Sequence, residues 1–276
     1  MPIVTIQDFT GVYAEQPFMQ GLRESAATDK NIHWFDCTLI DGTDCYCDDE
    51  AQAILRKQIA EARATELSGI HFFDNGNYHY MSKLWTDSIC EPLDLVVFDH
   101  HPDMQPPRFE GILSCGGWIK EVLDTNKFVQ NVIVIGVADH LVEEIREDLS
   151  QARATEILDR VQFVKESELK KHPEDFSSLV CSEFASVLSP SIYISIDKDA
   201  LSTAEAATNW DQGSLTFNQL ADTLKSLAAN HKILGIDICG ERARDMGFED
   251  TAAADSLNNA LNEKLFHLLT ELHGIQ

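Results

Sequence analysis

The sequence predicts an α/β fold: a mainly parallel sheet with helices on both faces. Three observations carry that prediction. Short runs dense in Val, Ile and Phe recur along the 276 residues. These runs show little polar alternation, as strands buried on both faces do. Amphipathic helical windows lie between them, an alternation that calls for parallel strands joined by right-handed crossovers. In chain order, the window Asp49–Leu67 places Ile54, Leu55, Ile59 and Ala62 on one helical face. Strands are expected at Gly69–Phe73, Leu93–Phe98, Asn131–Val137 and Ser191–Ile196. Phe217, Leu220, Leu224 and Leu227 form a second helical stripe, opened by Thr216-x-x-Gln219, which has the form of a capping box. A shorter strand is expected at Ile233–Ile238, and Leu257, Leu261, Leu265, Leu268 and Leu272 then repeat at helical spacing as a core face. No repeat, low-complexity tract or linker-like stretch interrupts the chain, so residues 1–276 read as one α/β domain.

Asp and Glu number 46 against 21 Lys and Arg, a formal charge of −25. That field repels phosphate backbones and argues against nucleic acid, while mildly favouring a small cationic substrate. The longest apolar run, Val132–Ala138, is far shorter than the ~18 residues of a membrane helix, so no membrane partner is expected. The first residues lack the basic segment and apolar core of a signal peptide. Seven cysteines, at 37, 45, 47, 90, 115, 181 and 239, form an odd set without a Cys-x-x-Cys pair. Reduced thiols in a cytoplasmic protein are the expectation.

In sheets of this kind ligands bind beyond the carboxyl ends of the strands. Three such ends carry chemistry: Asp74-Asn75-Gly76-Asn77-Tyr78-His79, Asp99-His100-His101-Pro102-Asp103 and Ser195-Ile196-Asp197-Lys198-Asp199. In extended chain alternate residues share a side, so Asp99, His101 and Asp103 converge while His100 faces away. By the same parity Asp197 and Asp199 face the site and Lys198 does not. Four carboxylates and an imidazole would then share one sheet edge, with His79 able to join. Carboxylates so close raise one another's pKa unless cations compensate. Two divalent ions would, and oxygen-rich ligation with two imidazoles suits Mn²⁺, with Zn²⁺, Co²⁺ or Fe²⁺ able to use the same geometry.

In this order the three segments resemble the motifs of the arginase/agmatinase (ureohydrolase) superfamily. Gly76-Asn77-Tyr78-His79 stands where that family has Gly-Gly-Asp-His-Ser, the histidine being the matching ligand. Asp99-His100-His101-Pro102-Asp103 matches Asp-Ala-His-x-Asp, and Ser195-Ile196-Asp197-Lys198-Asp199 matches Ser-x-Asp-x-Asp. By motif the resemblance spans residues 69 to 241. It implies a three-layer αβα fold and two Mn²⁺ per chain held by His79, Asp99, His101, Asp103, Asp197 and Asp199, with Asp99 and Asp197 bridging. It implies hydrolysis of a C–N bond in a guanidino or amidino compound by water activated between the metals, with Asp103 passing a proton to the leaving amine. Family members form trimers or hexamers, which leaves a homo-oligomer open.

The departures from the family bear on substrate. Cys115 or Ser114 stands roughly where the family carries a proton-shuttling His. The acid pair that holds the arginine amino group is reduced to Asp139 in Asp139-His140-Leu141. The guanidinium-binding Glu falls at Gly240, with Glu241 one residue later, and Glu241 is the candidate to take its role. Substrate contacts are therefore expected from Glu241, Asp139 and Cys115. Two other readings stand beside the C–N hydrolase: an amide hydrolase like the deacetylase branch of the same fold, and a metal-binding relative without catalysis. Outside the motifs, Cys45-x-Cys47 could hold a soft metal, His140 faces either the site or its own helix, and the acids of 41–50 open a solvated helix.

Overall fold

Successive residues of the strand Leu93–Phe98 enter two different cores. In a computed structural model, describing residues 2–62, 69–106, 111–171, 188–243 and 251–273, Val96 and Phe98 pack into one apolar cluster and Leu93, Leu95 and Val97 into another. A strand covered on both faces has no use for polar alternation, which is why its sequence shows so little.

The chain runs β1 (Ile3–Asp8), α1 (Pro17–Ser25), β2 (Ile32–Asp36), β3 (Tyr46–Cys47), α2 (Asp49–Ala62), β4 (Gly69–Phe72), α3 (Met81–Thr86), β5 (Leu93–Phe98), β6 (Leu113–Ser114), α4 (Trp118–Thr125), β7 (Val129–Val137), α5 (Asp139–Gln151), β8 (Val161–Lys165), α6 (Glu166–Lys171), β9 (Ser191–Asp197), α7 (Phe217–Asn230), β10 (Lys232–Cys239) and α8 (Thr251–His273). Eight strands make one sheet in the order β2-β1-β4-β10-β9-β5-β7-β8. Each described pairing within it is parallel. One face packs on Met19 and Leu22 of α1, Leu220 and Leu224 of α7 and Leu261 and Leu265 of α8. The other packs on Leu55 and Ile59 of α2, Ile119 and Val122 of α4 and Val142 and Ile145 of α5. The result is the three-layer αβα arrangement.

The five expected strands are β4, β5, β7, β9 and β10, each within two residues of its expected bounds. Thr216 caps α7 as a true capping box: its hydroxyl accepts from the Gln219 amide and the Gln219 side chain accepts from the Thr216 amide. Two expected stripes each lose a residue: Leu257 is only half-buried at the start of the α8 face, where Leu261, Leu265, Leu268 and Leu272 are buried. Ile54 is exposed while Leu55, Ile59 and Ala62 are buried, because adjacent helical positions lie about 100° apart and cannot share a narrow stripe. The end of that window, 63–67, lies outside the described residues. β1, β2 and β8 were not anticipated. β1 buries Thr5 and Gln7 despite their polarity, and Gln7 is paired with Trp85 Nε1 at 3.2 Å and Gln58 Oε1 at 2.9 Å. Among the described residues no helix is long and apolar enough to cross a membrane, and the six described cysteines form no disulfide.

Candidate metal centre

The four central strands β4, β10, β9 and β5 deliver their carboxyl ends to one place. Phe98 pairs with Ile196 across β5 and β9, so Asp99 and Asp197 emerge side by side at the next position. Beyond that point the backbone departs from the extended form that the parity argument assumed. β5 ends at Phe98, and Asp103 has a left-handed φ of 44°. Asp197 caps a short 3-10 turn over Lys198–Ala200, accepting from the Asp199 amide at 2.9 Å. The sidedness survives because backbone amides hold the carboxylates: His101 N donates to Asp99 at 2.6 Å and His100 N to Asp199 at 3.0 Å. His79 follows a second 3-10 turn, Gly76–Tyr78.

The six expected ligands come together. His79 Nδ1 lies 3.0 Å from Asp103, 3.3 Å from Asp99 and 3.5 Å from Asp197. His101 Nδ1 lies 3.0 Å from Asp199 and 3.5 Å from Asp99. Ligand atoms of His79, Asp99 and Asp103 sit within 4.8 Å of one another, as do those of Asp99, His101 and Asp199. Asp99 is common to both groups. His100 points elsewhere, its Nδ1 3.2 Å from the Gly136 carbonyl, and Lys198 turns to Glu241.

A hydrogen-bond relay tests whether cations suit this arrangement. Ser195 Oγ donates its proton to Asp237 at 2.6 Å, so it accepts from His79 Nε2–H at 2.9 Å. The Nδ1 lone pair is then aimed at three carboxylates. His101 repeats the pattern, with Nε2 at 3.1 Å from Asp211 and Nδ1 toward Asp199. Such outer partners orient metal-binding imidazoles and fix their tautomer. Asp99 Oδ2 is buried and accepts no hydrogen bond. A lone pair facing carboxylates, and an orphaned carboxylate oxygen between them, are repulsive or costly unless a cation lies there. The donor set therefore fits two divalent ions.

The electrostatics agree. Burial, then the neighbouring Asp199 charge, lifts Asp197 to about 7. Burial, then Asp99, lifts Asp199 to about 6. Burial opposes a proton on His79, yet the carboxylates of Asp103 and Asp99 beside it outweigh it and raise its pKa well above the usual range. Hydrogen bonds to Asp199 and Asp99 do the same for His101 against its own burial. Without cations, the site retains protons.

These six residues floor a cavity of about 380 Å³. Cys115 and Ser114, the two residues near the expected shuttle position, line it, as does Cys45; Tyr46, Gln105 and Trp210, which the sequence does not single out, line it too. β3 and β6 pair antiparallel and bring Cys45 opposite Cys115; their thiol contact, then burial, raises the Cys115 pKa far above its ordinary value. Cys47 is buried instead of sharing a site with Cys45. Two expected substrate contacts are placed elsewhere. Asp139 opens α5, where it accepts from the Ser167 hydroxyl at 2.6 Å and amide at 3.1 Å, and it does not line the cavity. Glu241 is fully buried, bonded to Lys198, to Gln16 at 2.8 Å and to Asn262 at 2.7 Å. Gly240 bears the reason: its φ is 91°, and a Cβ there would meet Asp197 Oδ1 at 2.3 Å. His140 is exposed. Asp211, Ser195 and Asp237 are the supports of the two histidines; the sequence offers Ser195 only as the first residue of its motif and gives no signal for Asp211 or Asp237.

The Arginase family model matches residues 19–245. A Thermotoga maritima protein is 29% identical over 243 residues, covering 87% of this chain and 80% of its own length. Among solved structures, proclavaminate amidino hydrolase from Streptomyces clavuligerus aligns with a TM-score of 0.62 at 16% identity, over 95% of this chain and 90% of that one. Formimidoylglutamase from Bacillus subtilis aligns with a TM-score of 0.59 at 14% identity, over 95% and 87%. At these identities both structures speak for the fold.

Proposed function

The chain belongs to the arginase family, and from that premise we propose that it is a hydrolase of a C–N bond in a small amidino or guanidino compound, working at a two-metal centre. His79, Asp99, Asp103 and Asp197 would hold one ion, and Asp99, His101, Asp197 and Asp199 would hold the other, with Mn²⁺ the family's usual metal and Zn²⁺, Co²⁺ or Fe²⁺ admissible in the same donors. When bound, such a pair supplies Lewis-acid activation of water near neutral pH. The observation that carries this reading is Asp99, whose two oxygens face His79 at 3.3 Å and His101 at 3.5 Å, one toward each ligand group.

The chain's own residues supply the rest. Asp103, held by Trp118 Nε1 at 2.8 Å, stands at the cavity and passes a proton to the departing amine. Ser195 and Asp237 keep His79 in its ligating tautomer, and Asp211 does so for His101. Glu241 acts beneath the site, bracing Lys198 between the two ligands Asp197 and Asp199. The substrate meets Trp210, Tyr46, Gln105 and Cys115. Apart from the six ligands, no charged side chain is found among the described residues lining the cavity. That favours amidines over arginine, which would need partners for its carboxylate and amino groups. It also gives weight to a second reading, hydrolysis of a neutral amide.

A panel of amidines, guanidines and acetylated amines, assayed for ammonia, urea, formamide or acetate release with Mn²⁺, Co²⁺ or Zn²⁺, separates these readings. Turnover confined to amidines supports the first. Turnover confined to acetylated amines supports the second, and a tight ligand left intact by a metal-replete protein supports a binding relative without catalysis.

A further inference from the structure

We propose that Cys239 is an additional ligand, as a thiolate, of the ion held by His79, Asp99, Asp103 and Asp197, and that it adapts this position to a softer divalent ion such as Zn²⁺, Fe²⁺ or Co²⁺. The proposal rests on the two-metal reading above. Cys239 is the last residue of β10 and pairs in register with Asp197 of β9. Paired residues of parallel strands point to the same face, which brings Cys239 Sγ to 3.2 Å from Asp197 Oδ2. That oxygen is the one 3.5 Å from His79 Nδ1. Ligand atoms of His79, Asp197 and Cys239 all lie within 4.8 Å of one another, and all three residues are buried.

The spacing suits adjacent ligands. A metal–sulfur bond of about 2.3 Å and a metal–oxygen bond of about 2.1 Å at a right angle separate the two donor atoms by about 3.1 Å. A second observation points to the same place: Asp99 Oδ2, buried and without a hydrogen-bond partner, lies 3.3 Å from His79 Nδ1. Gly240, with its φ of 91°, turns the chain aside immediately after the thiol. On binding, the thiol proton leaves to solvent and one metal–sulfur bond forms, with no change of oxidation state. One sulfur among nitrogen and oxygen donors moves preference away from Mn²⁺ at that position, while the His101 position keeps its harder donors.

Cobalt(II) tests this directly, because thiolate bound to Co²⁺ gives a near-ultraviolet charge-transfer absorption that carboxylate and imidazole do not. Metal-free protein titrated with Co²⁺ is expected to develop that band with two Co²⁺ bound per chain. Cys239→Ser should lose the band and shift the Zn²⁺-over-Mn²⁺ preference tenfold or more toward Mn²⁺, while Cys115→Ser and Cys45→Ser keep both. Two Co²⁺ without a band would overturn the thiolate and leave the two-metal reading standing. A band that disappears in Cys115→Ser or Cys45→Ser and persists in Cys239→Ser would overturn it as well. One Co²⁺ with a Cys239-dependent band would support the ligand and refute the second ion, and absence of Co²⁺ binding would end both. Should Cys239→Ser not fold, the band of the native protein together with the other two variants still decides.

Discussion

Glu241 and Lys198 form a buried ion pair beneath the floor of the cavity, with Gln16 and Asn262 completing the hydrogen bonds of the carboxylate. Removing one member of such a pair leaves an uncompensated charge, at a cost of about 3–5 kcal/mol. Glu241→Ala is therefore expected to lower stability by that order in urea denaturation, with activity lost through the displaced Asp197–Asp199 turn. A variant of native stability with only a raised KM would place Glu241 in substrate binding instead.

Adjacent histidines have opposite duties. His101→Ala removes a nitrogen from one ion and should reduce bound metal from about two per chain to about one. His100→Ala should leave metal content unchanged, since its ring faces Gly136. Metal analysis of both variants, with circular dichroism as a folding control, checks the assignment. The reverse pattern would overturn it.

Gly240→Ala probes the strained end of β10. Its φ of 91° disfavours any side chain, and the new methyl carbon would sit 2.3 Å from Asp197 Oδ1. Metal affinity should fall at least tenfold, read by competition with a chelating dye. Unchanged affinity would show that the turn yields freely.

The metal-free protein should lose stability as pH rises. Asp197 titrates at about 7 and Asp199 at about 6 in the fold, against about 4 for an unfolded aspartate. Between those limits the folded chain binds more protons than the unfolded one, so the derivative of unfolding free energy with pH is negative. The raised His79 and His101 act in the same direction. Bound cations displace these protons. The metal-induced gain in Tm should therefore be larger at about pH 7 than at about pH 5, as thermal denaturation with and without chelator would show. A gain independent of pH would contradict the ligand set.

Periodicity made the buried strands legible because Leu93–Phe98 and Ser191–Asp197 lie in the middle of the sheet, where both faces demand apolar residues. It missed β2 and β8, which sit at the sheet edges and are partly exposed, and β1, whose buried Thr5 and Gln7 break the apolar run. The convergence of His79, Asp99, His101, Asp103, Asp197 and Asp199 was legible because their motifs follow strands at short fixed spacings. Glu241 was misassigned because proximity in sequence to the guanidinium-binding position says nothing of sidedness: the left-handed Gly240 rotates the following residue away from the cavity. Asp211, Ser195 and Asp237 support the histidines through contacts between distant segments, which no local pattern encodes.

Metal content of the purified chain, summed over Mn, Fe, Co and Zn, tests the central claim most directly when native protein and Asp99→Ala are measured together. Two ions per chain are expected in the native protein and fewer than one in the variant, because Asp99 belongs to both ligand groups. A single ion in the native chain, or two retained by a folded Asp99→Ala, would contradict the account.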